Sequence, residues 1–159
     1  MNSVSKAIFP RQIDNTYRGH PLGIWMFSLI VLLKLIIGTN STFNTHTVAT
    51  GDGIAVDSFA AGAAEMVIAM FAQLGFGHLL LGILGLIVLI RYRAMIPLIL
   101  LLFAADFLGR KAVTLLHPTH SSSSVGFYIN MALLAITLIG LALSLITKRP
   151  AGERASGGA

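Results

Sequence analysis

The chain has 159 residues, 55% of them hydrophobic and 11% charged, with a mean hydropathy of +0.83 and a formal net charge of +5. A soluble domain carries about 25% charged residues, so a water-soluble enzyme is excluded. The lack of cysteine excludes disulfides, iron–sulfur clusters and cysteine-held zinc.

The expected fold class is all-α: an integral membrane four-helix bundle with both termini cytoplasmic. Residues 1–20 read as a cytoplasmic N-terminal tail. The first helix covers about 21–38 and is apolar from Leu22 to Ile37 except at Lys34. A basic tail leading into a short apolar core resembles a signal peptide, but Gly38-Thr39-Asn40-Ser41-Thr42 offers no A-x-A cleavage site, so an uncleaved anchor is expected. The sequon Asn40-Ser41-Thr42 is short and carries no weight. A second helix over about 61–90 holds Glu65, Gln73 and His78. Its Gly75, Gly77, Gly82 and Gly85 let backbones approach where apolar side chains gain nothing over lipid, so this helix is expected at the centre. The third, about 94–117, has Pro97 in its first turn, where a missing N–H costs no helical bond. It is apolar to Ala105 and then meets Asp106, Arg110 and Lys111. The fourth covers about 126–147, and 148–159 reads as a disordered cytoplasmic tail rich in Gly, Ala and Ser. Each segment approaches the roughly 20 residues that cross a bilayer core.

Orientation follows from Lys and Arg, which are retained on the cytoplasmic side. Eight of the eleven lie at Lys6, Arg11 and Arg18, at Arg91 and Arg93, and at Lys148, Arg149 and Arg154. The connections at 39–60 and 118–126 have none and carry Asp52 and Asp57. The positive charge is thereby explained by topology, and no nucleic-acid partner is implied; the lipid bilayer is the one partner the composition demands.

Polar residues recur at two depths. Lys34, His78 and Asp106 each lie thirteen residues from Pro21, Arg91 and Arg93 respectively, or roughly 20 Å above the cytoplasmic face. Gln73, Arg110 and Asn130 lie seventeen or eighteen residues in, at roughly 26 Å. Charges at such depths usually face the bundle interior and pair. Asp106 and Arg110 are spaced i,i+4 with the acid first, the favourable order. Lys34 and His78 can complete a network with them, or Lys34 can snorkel past Gly38 to the outer interface. Glu65 lies higher, positioned to pair with Lys111 or to touch water. The intramembrane polar set is therefore Lys34, Glu65, Gln73, His78, Asp106, Arg110, Lys111 and Asn130. Each has a structural reading, as a pair or hydrogen bond fixing helix rotation, beside the functional one. His117 and His120 form an H-x-x-H, but Pro118 breaks the helix between them and no metal site is expected.

A basic tail, Leu33-Lys34-Leu35 late in the first helix, Ala64-Glu65-Met66 early in the second, the inner turn Arg91-Tyr92-Arg93 and the polar start of the fourth at Tyr128 and Asn130 together resemble the layout of small DoxX-like bacterial membrane proteins. Phe9-Pro10-Arg11-Gln12 with Tyr17-Arg18-Gly19-His20 is similar to small proteobacterial inner-membrane proteins without assigned activity. The resemblance implies a bacterial inner membrane and association with respiratory or redox complexes, and it transfers no catalytic residue.

No catalytic triad, P-loop, dinucleotide fingerprint or zinc spacing is present in the sequence. No cofactor is indicated by motif, and His78 is the residue to test if one exists. Three functions stay open. The first is a structural or accessory subunit, with a second copy or a membrane complex as partner. The second is a proton-linked carrier or channel subunit using Asp106, His78 and Lys34. The third is a quinone- or haem-associated redox subunit. An enzyme is the less expected outcome.

Overall fold

The computed structural model describes residues 3–10, 12–117 and 125–146, and the described residues are all-helical. Among them six α-helices occur in chain order: α1 (Ser3–Ile8), α2 (Pro21–Phe43), α3 (Thr45–Gly51), α4 (Ala61–Arg91), α5 (Ile96–Leu116) and α6 (Val125–Leu145). Short 3-10 turns at Val56–Ser58 and Arg93–Met95 lead into α4 and α5. The C-terminal tail expected over 148–159, and His120, lie outside the described residues.

α2, α4 and α6 are long and apolar enough to cross a membrane. Their surfaces agree: Trp25, Leu32, Met66, Met70, Ile90 and Ile139 are exposed, an arrangement that suits hydrocarbon and not water. α5 differs because Asp106 stands at its midpoint and Arg110 and Lys111 follow in its second half.

The helix starts follow local chemistry. His20 caps α2 by accepting a hydrogen bond at Nδ1 from the Leu22 N–H (3.2 Å), and Pro21 occupies the first turn. Pro97 does the same in α5. α2 does not stop near residue 38 but runs on to Phe43, and α3 follows at once. Side chains sustain this polar extension. Asn40, Thr42 and Thr45 donate to the carbonyls of Ile36, Gly38 and Ser41, four residues back in each case. α3 closes in a Schellman arrangement, with Ile54 N–H bonded to Ala49 O (3.1 Å) and Gly53 N–H to Thr50 O (3.0 Å). Gly53 has φ 82°, a conformation that selects glycine.

The helix at the centre is α2, not the glycine-rich α4. α2 packs along both α4 and α6, and α5 packs along α6, whereas α4 leans chiefly on α2. The glycines of α4 serve that one seam: Gly75 meets Ser41, Gly82 meets Leu35 and Gly85 meets Val31, while Gly38 of α2 meets Leu79. Gly77 faces open space. An apolar core fills the end nearer the start of α2. Phe27, Ile30, Val31, Val88, Ile96, Ile99, Leu100 and Phe103 are buried there, and the rings of Phe27 and Phe103 stack at 6.1 Å.

The N-terminal segment folds across that same end. Asp14 O accepts from the Ala94 N–H (3.3 Å), His20 N–H donates to Leu143 O (3.1 Å), and the Tyr17 hydroxyl bonds Ser144 Oγ (3.0 Å). Burial pushes the Tyr17 phenol above its ordinary pKa, opposed by the Ser144 hydrogen bond. Arg18, Arg91 and Arg93 therefore gather at one end of the molecule, with Asp52 and Asp57 at the other.

A Cβ on Gly75 would lie 2.5 Å from the Ser41 Cβ and 2.7 Å from its carbonyl carbon. Gly75→Ala should destabilise the protein by about 1–3 kcal/mol through overpacking. Gly77→Ala should be neutral or slightly stabilising, since it only gains helix propensity. Thermal unfolding of both variants in detergent micelles measures the difference, and equal effects would contradict the seam.

Candidate functional site: a carboxylate shared by two cations

Asp106 is the centre of the site. On α5 the residues Phe103, Asp106, Phe107 and Arg110 follow the i, i+3, i+4, i+7 spacing that places them on one face. That face meets α2 and α4. Lys34 Nζ donates to Asp106 Oδ2 at 2.9 Å, and Arg110 Nη2 donates to the same oxygen at 3.1 Å. Arg110 Nη1 also contacts His78 Nε2. One carboxylate oxygen thus joins α2 to α5, and the guanidinium carries the connection to α4.

Lys34 is only 2% exposed, so it does not snorkel to the interface. Gly38, the residue it would pass, is packed on Leu79, and the lysine stem runs inward. Its ammonium sits over the rings of Phe103 (4.9 Å) and Phe107 (4.7 Å). Arg110 also covers Phe107 at 5.1 Å. Aromatic faces attract cations most when water is excluded, so the two rings complement the single carboxylate. Among the described residues every buried side-chain nitrogen and oxygen has a hydrogen-bond partner.

The eight polar residues singled out in the sequence divide three ways. Lys34, His78, Asp106 and Arg110 form the cluster. Lys111 and Asn130 line cavities beside it. Glu65 and Gln73 stay on the exposed side of α4, apart from the cluster. Lys111 does not pair with Glu65; its ammonium lies 4.5 Å over the ring of Phe127.

The cluster opens toward the Asp52 end of the molecule. A cavity of about 230 Å³ is lined by Asn40, Asp52, His78, Arg110 and Asn130, with Ile36, Phe71 and Ile129 among its apolar walls. A smaller space of about 20 Å³ touches Lys34, His78 and Asn130, enough for one water with several polar partners. Beneath Lys34 the fully buried Phe27, Ile30, Leu100 and Phe103 close the way to the other end.

Several contributors were not singled out in the sequence. Phe103 and Phe107 were detectable, because their spacing with Asp106 and Arg110 marks a single helix face. Asn40 and Asp52 were not, because the polar helical extension that brings them over the cavity depends on tertiary contacts.

Comparison with protein-family models, curated proteins and solved structures finds no match to this chain. Among the described residues no three His, Cys, Asp or Glu side chains group as a metal site.

Asp52 supplies a pH test. Burial alone pushes its carboxyl above the ordinary pKa. The folded state then binds a proton more readily than the unfolded chain, so stability falls as pH rises through the window between the two pKa values. At neutral pH the folded protein therefore carries the cost of a half-buried carboxylate. Asp52→Asn should raise the unfolding midpoint at neutral pH, with the gain vanishing below the ordinary carboxylate range. Unfolding midpoints at both pH values decide it; a loss of stability at neutral pH would show that Asp52 is held by an attraction instead.

Proposed function

We propose that this chain is a four-span protein of a bacterial inner membrane, with both termini cytoplasmic, acting as a structural or accessory subunit. The observation that carries this reading is the buried cluster: Asp106 pairs with Arg110 within α5, and assembly of the bundle adds Lys34 from α2 and His78 from α4, so the polar groups of α5 turn to partners and not to lipid. α5 crosses as a member of the bundle, its charges turned to Lys34 and His78. Exposed aromatics support the placement. Trp25 lies just inside the start of α2 and Tyr128 just inside the start of α6, at opposite ends of the bundle and at depths where such rings anchor to headgroups. The DoxX-like layout of the sequence agrees with such a role.

The alternatives receive less support. A carrier needs access from both sides, and the apolar core under Lys34 leaves the cluster reachable from one. A haem-binding role for His78 meets an occupied ring nitrogen, since Nε2 faces Arg110.

The chain contains no cysteine, so single cysteines report topology without background. Impermeant maleimide on intact cells should label Ser58→Cys and His117→Cys and spare Asn15→Cys. An unlabelled His117→Cys would show that α5 does not cross. Native mass spectrometry after gentle extraction should find a second copy or a partner membrane protein bound; a bare monomer would contradict the accessory role.

A further inference from the structure

The outer half of α5 holds more positive charge than its own ion pairs compensate. Asp106 is one carboxylate serving both Lys34 and Arg110. Lys111 follows directly and makes no ion pair among the described residues. Locally, Lys34, Arg110 and Lys111 thus share one carboxylate; of the other acids at this end, Asp57 pairs with His46, Asp52 borders the first cavity and Glu65 lies on the exposed side of α4. Positive charge placed on the translocated side runs against the usual bias and asks for a counter-charge.

The structure has a place for one. A second cavity, also about 230 Å³, lies between α5, α6 and α4 and is lined by Arg110, Lys111, Thr114 and Asn130, with Phe107 and Phe127 among its walls. Its polar groups are two cations, a hydroxyl and an amide, and no carboxylate borders it. Phe127 holds the Lys111 ammonium at the cavity. Arg110 is fixed by Asp106 on its other side, which leaves guanidinium N–H groups for an anion. Counted from Arg93, these residues lie roughly 26–31 Å along α5, the level of the opposite headgroups. The walls are apolar and aromatic, as beside an acyl chain.

We propose that this cavity binds the phosphate of an anionic phospholipid from the outer leaflet, with Lys111 and Arg110 as the phosphate ligands and Thr114 and Phe127 bordering the headgroup. Arginine and lysine together are the usual phosphate-recognising pair, the first by its fork of donors and the second as a point charge, and basic pockets between membrane helices bind lipid headgroups in this way. Naming the outer leaflet rests on the four-span orientation; the site itself does not.

The test is lipid retention by the full chain in nanodiscs of phosphatidylcholine alone or mixed with phosphatidylglycerol, read by native mass spectrometry and by the thermal midpoint. The wild type should retain phosphatidylglycerol preferentially and unfold at a higher temperature in the mixture. Lys111→Gln should lower retention about fivefold, the worth of one cation at a lipid surface. Lys111→Arg should keep it, and Arg91→Gln at the other end should leave it unchanged. Thr114→Trp, which fills the cavity and removes no charge, should abolish it, and this variant decides the matter if Lys111→Gln fails to fold. Undiminished retention in Lys111→Gln or Thr114→Trp would overturn the proposal, as would equal protection by inorganic phosphate. Both leaflets of a nanodisc carry the same lipid, so a reversed cysteine-labelling pattern with retention intact would overturn the orientation and not the site.

Discussion

One carboxylate oxygen answering two cations is the constraint on which the structure turns. In hydrocarbon, helices gain no hydrophobic energy by meeting one another, so association relies on close packing and on polar groups that need partners. Asp106 supplies the second of these for α2 and α5 directly and for α4 through Arg110 and His78. The glycine seam between α2 and α4 supplies the first. The two devices divide the work: the seam sets how closely α2 and α4 approach, and the cluster sets the rotation of α5 against both. Replacing such a buried pair by apolar groups is often tolerated, whereas removing one partner leaves an uncompensated charge. The cluster is therefore better understood as fixing one arrangement than as a source of net stability.

Much of this was legible from counting alone. Thirteen residues from the basic end of each helix placed Lys34, His78 and Asp106 at one level, and the i,i+4 spacing joined Asp106 to Arg110; the structure brings all four together. Direction was harder. Whether Lys34 turns inward or snorkels depends on Gly38 being packed against Leu79 and on two phenylalanine rings waiting on α5, neither of which is local to the lysine. The glycines of α4 correctly marked a close contact and misplaced the centre, because a stripe of small residues shows that a face is packed and not how many neighbours the helix has. The continuation of α2 to Phe43 was missed because Asn, Ser and Thr disfavour helix interiors in isolation. Here their side chains bond the preceding turn, and Gly75 admits Ser41. The fold-back of the N-terminal segment onto α6 through Tyr17 and Ser144 had no signal in spacing at all.

The two ends of the bundle then have different characters. Toward the basic end, large apolar side chains are fully buried and the Tyr17 segment lies across the helix ends. Toward the other, cavities reach the cluster between polar helical extensions that carry Asn40 and Asp52. A site open on one side and sealed on the other suits binding, whether of a partner or a lipid, better than passage across the membrane. It also explains why charges so expensive to bury are concentrated at one depth: they meet each other, aromatic faces and an accessible cavity within a single turn or two of helix.

The most direct test of the shared carboxylate is a double-mutant cycle between Lys34 and Asp106 in detergent micelles or bicelles, using Lys34→Met, Asp106→Asn and the pair. Asp106→Asn strands two cations, while Lys34→Met leaves Asp106 paired to Arg110, so the aspartate variant should be the less stable single. In the double variant only Arg110 is stranded, and its loss of stability should fall short of the sum of the two single losses by about 1 kcal/mol or more, the range expected of groups in one network. Additive losses, or a lysine variant less stable than the aspartate variant, would contradict the idea that Asp106 holds the bundle by serving both cations.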